Sequence, residues 1–269
     1  MTTGRRAPRL PAVYGGLIRA EVMATAGYRA GMVVGLLGWV IPFVMMALWR
    51  GAAADGAIEG ITADQFTTYF GLVLFTSALS LNGMLVYDFS PLVRDGRLAH
   101  YLVRPYHPFH NLIAMGLARS LFFGPAAGVL LAAVLVIVGG PIDAGALPTA
   151  LGAWLIGSVA AGHIAALAGT IALWVTEAYG VQSIVLGLEG LLGGLYAPVA
   201  LLPGFLAVVG RHNPFWFQVG APSELLAGII EPAAGLRAMA EGLVWIVVLH
   251  AVFRVVWRRG VRQFELVGG

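Results

Sequence analysis

The sequence predicts an all-α integral membrane protein in which six transmembrane helices form a single domain over residues 1–269. Hydrophobic residues make up 59% of the chain and charged residues only 11%, whereas roughly a quarter of the residues in a soluble domain are charged. So few charges cannot cover a water-facing surface of ordinary size. Lipid-facing helices need none, because each helix satisfies its own backbone polar groups.

Six apolar stretches have about the 20-residue length that a helix needs to cross the hydrocarbon. They cover residues 30–49, 66–87, 121–139, 150–174, 181–202 and 240–257. Before the first of them, residues 11–28 predict a helix lying in the membrane interface, because apolar residues recur there at helical spacing. Tyr14 and Ile18 fall on the apolar face of this helix, whereas Arg19 and Glu21 fall off it. The alternative is a simple extension of the first span.

The arginines predict that both termini are cytoplasmic. All sixteen basic residues are arginine, and six spans put the two termini on the same side of the membrane. Only Arg50, Arg211 and Arg237 fall on the opposite side, so thirteen arginines share the side of the termini. Positive residues are retained on the cytoplasmic side of membrane proteins, and this bias fixes the orientation.

The predicted cytoplasmic segment between spans two and three forms a compact basic knob. Ser90 and Pro91 are typical of a helix start, and Gly96 can end that helix in a left-handed conformation. Pro105 favours an extended conformation at Arg104. A small basic and partly apolar projection suits docking into a groove on a partner protein. The alternative is an ordinary basic loop that only maintains orientation.

The segment between spans five and six is too apolar for a water-exposed loop and too interrupted for a span. Pro198, Pro203 and Gly204 break any continuous helix across it. We therefore expect short helices that dip back into the outer leaflet, with the aromatic residues 215–217 at headgroup depth. A second short helix is expected to begin after Pro222 and Ser223.

Together these parts resemble the ABC type-2 permease family, in particular a bacterial branch whose knob has the pattern G-x-[LI]-x-x-[YF]-L-x-R-P. The matching residues are Gly96, Leu98, Tyr101, Leu102, Arg104 and Pro105. Residues 193–203, with residues 213–215 and Pro222, resemble the branch's G-G-x-x-x-P-x-x-x-x-P … P-F region. The closing residues 264–269 also fit its usual tail. The resemblance covers essentially the whole chain.

The resemblance implies the ABC type-2 exporter fold in a bacterial inner membrane. Two permeases, either identical or homologous, would form the translocation pathway, and each would rest its knob on a separate nucleotide-binding ATPase subunit. The residues implied at that contact are Asp95, Gly96, Arg97, Leu98, Tyr101, Leu102, Arg104 and Pro105. Spans one and five would line the dimer seam, where the pairs Gly31/Gly35 and Gly190/Gly194 allow close helix approach. Among 37 glycines, chance pairs of this kind are an equal alternative.

Several kinds of chemistry are excluded by the residues present. A Walker A loop needs a lysine at the phosphates, and the chain has none. ATP and Mg²⁺ would therefore bind to a partner subunit, and we expect no cofactor on this chain and no enzymatic activity of its own. There are no cysteines and no metal-binding motif. The net charge of +3 is too small and too dispersed to indicate nucleic acid.

Two ionisable residues within the predicted spans are functional candidates, since such residues are costly in a membrane. Glu189, in span five, is a possible pathway residue, and a pairing with a neighbouring helix is the equal alternative. For His163, in span four, a structural pairing is favoured. The scarcity of such groups disfavours a secondary transporter or channel. A membrane scaffold that does not transport is the other alternative.

Overall fold

The computed structural model describes residues 10–27, 33, 36–80, 83–175 and 179–268. This part of the chain is helical apart from turns and one isolated bridge between Ile58 and Ile61. The helices are α1 Leu10–Gly27, α2 Val40–Ala52, α3 Ala63–Ala78, α4 Gly83–Arg94, α5 Leu98–Leu102, α6 Phe109–Ile137, α7 Leu147–Thr170, α8 Tyr179–Leu192, α9 Phe205–Arg211, α10 Gly220–Leu226 and α11 Pro232–Gly268. Short 3-10 turns lie at Ala144–Ala146, Ile171–Leu173 and Val199–Leu201.

Three helical segments in the described part of the chain are long and apolar enough to cross a membrane. They are Phe109–Ile137, Ala144–Leu173 and Pro232–Gln263, and the apolar helices Val40–Ala52 and Gly180–Leu192 are shorter. The three long segments correspond to predicted spans three, four and six. A multi-pass membrane protein is thus supported, while the count of six spans stays a prediction.

Helix α7 lies at the centre of the bundle and contacts α4, α10 and α11. Every buried residue of α7 is Ala, Gly, Ser or Thr, and small residues allow helix backbones to approach closely. At Gly157 a Cβ atom would overlap the backbone of Phe217 and Gln218. The small side chains of α7 therefore bring the segment that follows α8 directly onto its backbone.

The second predicted span is divided between two helices. Helix α3 begins with a capping box, in which the Gln65 N–H donates to Thr62 Oγ1 (3.3 Å) and the Thr62 N–H donates to Gln65 Oε1 (3.0 Å). The prediction that a helix starts at Ser90–Pro91 is wrong. Pro91 lies inside α4, in the last turn before Arg94, so the short helix of the knob is α5 instead.

The fifth predicted span also ends early, because α8 stops at Leu192. Gly194 lies beyond the helix with φ +91°, and a Cβ atom there would overlap the Tyr69 hydroxyl. A Cβ atom on Gly190 would overlap the Tyr196 ring. The assumption that Gly190 and Gly194 share one helix face is therefore wrong, and their close contacts are within this chain. A dimer seam at α2 and α8 stays a prediction, and Gly31 and Gly35 lie outside the described residues.

Helix α1 packs along α6, as an amphipathic helix would. The Tyr14 hydroxyl lies 2.8 Å from His110 Nδ1. Glu21 is not off the packed face as predicted, because it pairs with Arg119 at 3.5 Å and its side chain is only 19% exposed. Because Arg119 pairs with Glu21, this carboxylate can lie on the packed face, although the sequence pattern predicts that it faces outward.

Residues 193–231, here called the connecting segment, are held together by buried polar groups. The Asn213 side chain donates to the Leu192 carbonyl (3.0 Å) and accepts from the Phe215 N–H (2.9 Å). Glu224 is fully buried and accepts from the Ala200 N–H and the Trp216 indole, each at 3.2 Å. These bonds satisfy backbone groups at the end of α8, in the 3-10 turn and in the turn after α9, together with the buried indole N–H of Trp216.

The aromatic residues of the connecting segment lie inside the protein. Phe215, Trp216 and Phe217 are 9%, 5% and 0% exposed, and the last two pack with Ala153 of α7 and Ala238 of α11. They fill the gap between two long helices, and their predicted position at headgroup depth stays a prediction. Helix α10 begins at Gly220, slightly before the start predicted after Ser223.

We predict that Glu224 makes the stability of the protein depend on pH. Burial raises the pKa of Glu224 from 4.5 to about 7, although the N–H donors around it act in the opposite direction. The folded state therefore binds this proton more tightly than the unfolded state, so stability is full below pH 4.5 and falls as the pH rises towards 7. Thermal unfolding in detergent, followed by tryptophan fluorescence, should give a lower midpoint at pH 7.5 than at pH 5.

The variant Glu224→Gln is neutral at every pH and should lose most of this difference between the two midpoints. Its absolute stability is also expected to drop, because an amide offers one acceptor to two N–H donors. A variant with the same pH dependence as the wild type would contradict the assignment.

Candidate functional site

The turn between α4 and α5 is fixed by its backbone. The N–H groups of Asp95 and Gly96 donate to the carbonyls of Pro91 (2.9 Å) and Val93 (3.1 Å). Gly96 has φ +69°, which confirms the predicted left-handed helix end. A Cβ atom at Gly96 would meet nothing within 4 Å, so the backbone conformation alone favours glycine here.

Helix α5 is anchored to the bundle mainly by the side chain of Leu98. Leu98 is fully buried and packs in a cluster with Phe89, Leu92 and Phe109. Phe89 and Phe109 stack with their ring centroids 4.9 Å apart. Tyr101 and Leu102 are half-buried against the same cluster. Three of the residues assigned to partner contact thus hold α5 onto α4 and α6.

Arg104 fixes the end of the same segment to the start of α6. Its guanidinium lies over the Tyr101 ring, 4.6 Å from the centroid. It also donates to the Tyr106 hydroxyl (3.0 Å) and to Asn111 Oδ1 (3.3 Å). Asn111 is buried, so a charge-assisted bond offsets the cost of burying this amide.

The remaining residues of the knob form its exposed surface. Asp95, Gly96, Arg97 and Pro105 are exposed as predicted. Sequence analysis missed His100, which is exposed, and Val103, which is 85% exposed. The spacing of Leu98, Tyr101 and Leu102 could have found His100, because residues between the inward positions of a helix face outward. Val103 directly follows the helix. Arg97, His100 and Val103 therefore make a small basic surface with one apolar side chain.

The two ionisable candidates of the predicted spans lie on separate helices. His163 Nε2 lies 3.2 Å from His250 Nδ1, and His163 Nδ1 lies 2.8 Å from the Val159 carbonyl, so the pairing predicted for His163 is present. Glu189 is half-buried in α8, and its carbonyl accepts from the Gly193 N–H at 2.8 Å. A role for Glu189 in a pathway stays a prediction. Within the described ranges, no group of three or more His, Asp or Glu is arranged to hold a metal ion.

Comparison with known proteins identifies the family. The family model for the ABC-2 family transporter protein matches residues 33–268, which is most of the chain. The chain belongs to the ABC-2 transporter family. It is thus an ABC transporter permease of the multi-pass membrane type, as the order of its parts indicated. A comparison with curated proteins finds no match.

The match to the ABC-2 family begins after α1 and includes the knob, the connecting segment and the whole of α11. Membership of the family supports a transport subunit rather than an enzyme.

We predict that Leu98 controls how tightly α5 is held. The substitution Leu98→Ala removes buried side-chain volume and should destabilise the anchored segment by about 2–5 kcal/mol. Trypsin should then cleave the Arg97–Leu98 bond faster than in the wild type, which mass spectrometry of the early fragments can measure. Val103→Ala truncates an exposed apolar residue five positions later and should leave the rate unchanged. Equal cleavage of the two variants would mean that Leu98 does not anchor α5.

Proposed function

We propose that this ABC-2 permease is the transmembrane subunit of an ATP-driven exporter and that its knob, residues 94–105, is seated on a separate nucleotide-binding ATPase subunit. The observation that supports this most strongly is that the knob has one buried face and one exposed face. One face, through Leu98, is locked into the bundle, while Arg97, His100 and Val103 remain exposed.

A contact of this kind can transmit force. The cluster around Leu98 includes residues of α4, α6 and α7, and Tyr101 and Trp257 pack against it from α5 and α11. Packed interiors are stiff and have few voids. A displacement of α5 would therefore move the adjoining ends of α4, α6, α7 and α11 together, which is what rocking between two orientations of a pathway requires.

The ATP and Mg²⁺ of this mechanism belong to the ATPase subunit, since a chain without lysine has no Walker A loop. The proposal places the knob and both termini in the cytoplasm of a bacterial cell, with the bundle in the inner membrane. A second permease, identical or homologous, would complete the pathway. Apolar side chains for that contact are available on α2 and α8, where Leu48 and Ile184 are 59% and 64% exposed.

The contact with the ATPase can be tested by reversing one exposed charge. Arg97→Glu should reduce the amount of ATPase subunit that co-purifies with the permease from membranes by at least about tenfold, because the new negative charge would repel the acidic surface that a basic knob is expected to contact. Membrane insertion and the unfolding midpoint should not change, since Arg97 is exposed. Arg19→Glu reverses an exposed charge on α1 and should leave the yield of complex unaltered.

The identity of the chains that co-purify tests the assignment to an ATP-driven exporter. Mass spectrometry of the purified wild-type material should identify a chain with a Walker A lysine. If no such chain accompanies the permease in mild detergent or in native membrane particles, the exporter assignment is wrong.

Glu189 offers a test of the pathway. Glu189→Gln keeps the size of the side chain and removes its charge, so the complex should assemble in normal yield. ATP-dependent efflux from reconstituted vesicles should change in rate by several-fold, because the energy of a charge in a membrane pathway depends strongly on its surroundings. Glu231→Gln makes the same change at an exposed residue of the connecting segment and provides the control. Unchanged efflux in both variants would remove Glu189 from the pathway.

A further inference from the structure

A cavity of about 610 Å³ lies where α6 begins, between α6, α7 and the second half of α11. We call it the basic cavity, after the nitrogen-bearing side chains that line it. They are His107, His110, His163, His250, Arg254 and Arg258. Its lining contains no acidic residue within the described part of the chain. The lining is therefore complementary to an anion.

The two arginines are free to bind. Within the described side chains, neither Arg254 nor Arg258 has a hydrogen-bond or ion-pair partner, and both are exposed. They follow His250 on α11 at intervals of four residues, so the three side chains lie along one face of the helix. Two guanidinium groups one turn apart match the oxygens of a phosphate group, which arginine binds through paired N–H donors.

His107 contributes a hydrogen-bonding group rather than a charge to the cavity. Burial, together with neighbouring His110, lowers the pKa of His107 to about 4, so His107 is neutral at physiological pH. His163 and His250 are paired with each other. The Ser158 hydroxyl is buried and has no hydrogen-bond partner among the described residues, although Ser158 lines the cavity. A buried hydroxyl of this kind is normally satisfied by a ligand or water.

The rest of the lining is apolar and continues onto the surface of the bundle. Phe109, Phe253 and Trp257 form one wall, with Phe253 and Trp257 stacked at 6.0 Å. On either side of the cavity, Val159 of α7 is 47% exposed and Val252 of α11 is 45% exposed. In a membrane these valines face acyl chains. A molecule with an anionic head and an apolar tail satisfies both parts of the site.

We propose that the basic cavity binds the phosphate headgroup of an anionic phospholipid, with the acyl chains lying against its apolar wall. Basic pockets between transmembrane helices hold such headgroups in general. The site is separate from the exposed surface of the knob, and the argument for it does not rest on the proposed ATPase contact. It uses charges at the end of the bundle where the knob lies, so the lipid would come from the leaflet on that side.

The proposal can be tested on the purified full-length chain in neutral detergent. Native mass spectrometry should show one phosphatidylglycerol molecule bound with at least about tenfold preference over phosphatidylcholine. Arg254→Gln combined with Arg258→Gln should abolish the preference. Arg259→Gln combined with Arg262→Gln removes the same charge from the same helix, outside the cavity lining, and should retain it. An equal loss in both double variants, or no preference in the wild type, overturns the proposal.

The position and the source of the ligand need separate measurements. Phosphatidylglycerol with brominated chains should quench part of the tryptophan fluorescence, and Trp257→Phe should remove that part. Quenching that does not depend on Trp257 would contradict the site.

Millimolar glycerol phosphate or inorganic phosphate should not displace the lipid. If either displaces it fully, the ligand is a soluble phosphate compound and the lipid proposal fails. Should the double variant not fold, the Trp257 measurement decides.

Discussion

The connecting segment depends on the two hydrogen bonds that the fully buried side chain of Glu224 accepts. A chain that leaves helical geometry in the buried interior of a protein must find partners for its backbone N–H and C=O groups. Residues 193–231 leave it repeatedly, through a 3-10 turn and two short helices. Glu224 accepts one N–H from the 3-10 turn and one from the Trp216 indole. Asn213 accepts from two backbone N–H groups in the turn between the short helices. Two polar side chains thus make an irregular segment compatible with its apolar surroundings.

That arrangement in turn requires the small residues of α7. The segment can lie against α7 only where no Cβ atom intervenes, as at Gly157. At the opposite end the same helix meets Phe89 through Gly169, whose Cβ atom would come within 3.2 Å of the phenylalanine side chain. One helix of small side chains therefore receives a polar, irregular segment at one end and an aromatic cluster at the other. Hydrogen bonds thus stabilise the contacts at one end of α7, and aromatic packing stabilises those at the other.

The sequence predicted the membrane class and the order of parts because these depend on composition and on the length of apolar runs. It predicted the left-handed Gly96 because that conformation is a local property of glycine. It failed for the lengths of spans two and five, since hydropathy does not separate a helix from an apolar turn held by distant polar groups. The partner of Gly194, for example, is Tyr69, which lies far away in the chain. The basic cavity was also missed. The spacing of His250, Arg254 and Arg258 is visible in the sequence, but their proximity to His163 depends on the packing of two helices.

The aromatic cluster near the knob connects the two proposed contacts. Phe109 packs against Leu98 on one side and lines the basic cavity on the other. Trp257 likewise contacts the cluster while lining the cavity. A lipid headgroup between Arg254 and Arg258 and an ATPase subunit against Arg97 would therefore act on one packed unit. Where two ligands bias the same unit, each changes the affinity for the other by the same factor. A headgroup that favours one orientation of α11 must then be bound more tightly or more weakly when the ATPase engages α5, and the physical link is the ring of Phe109.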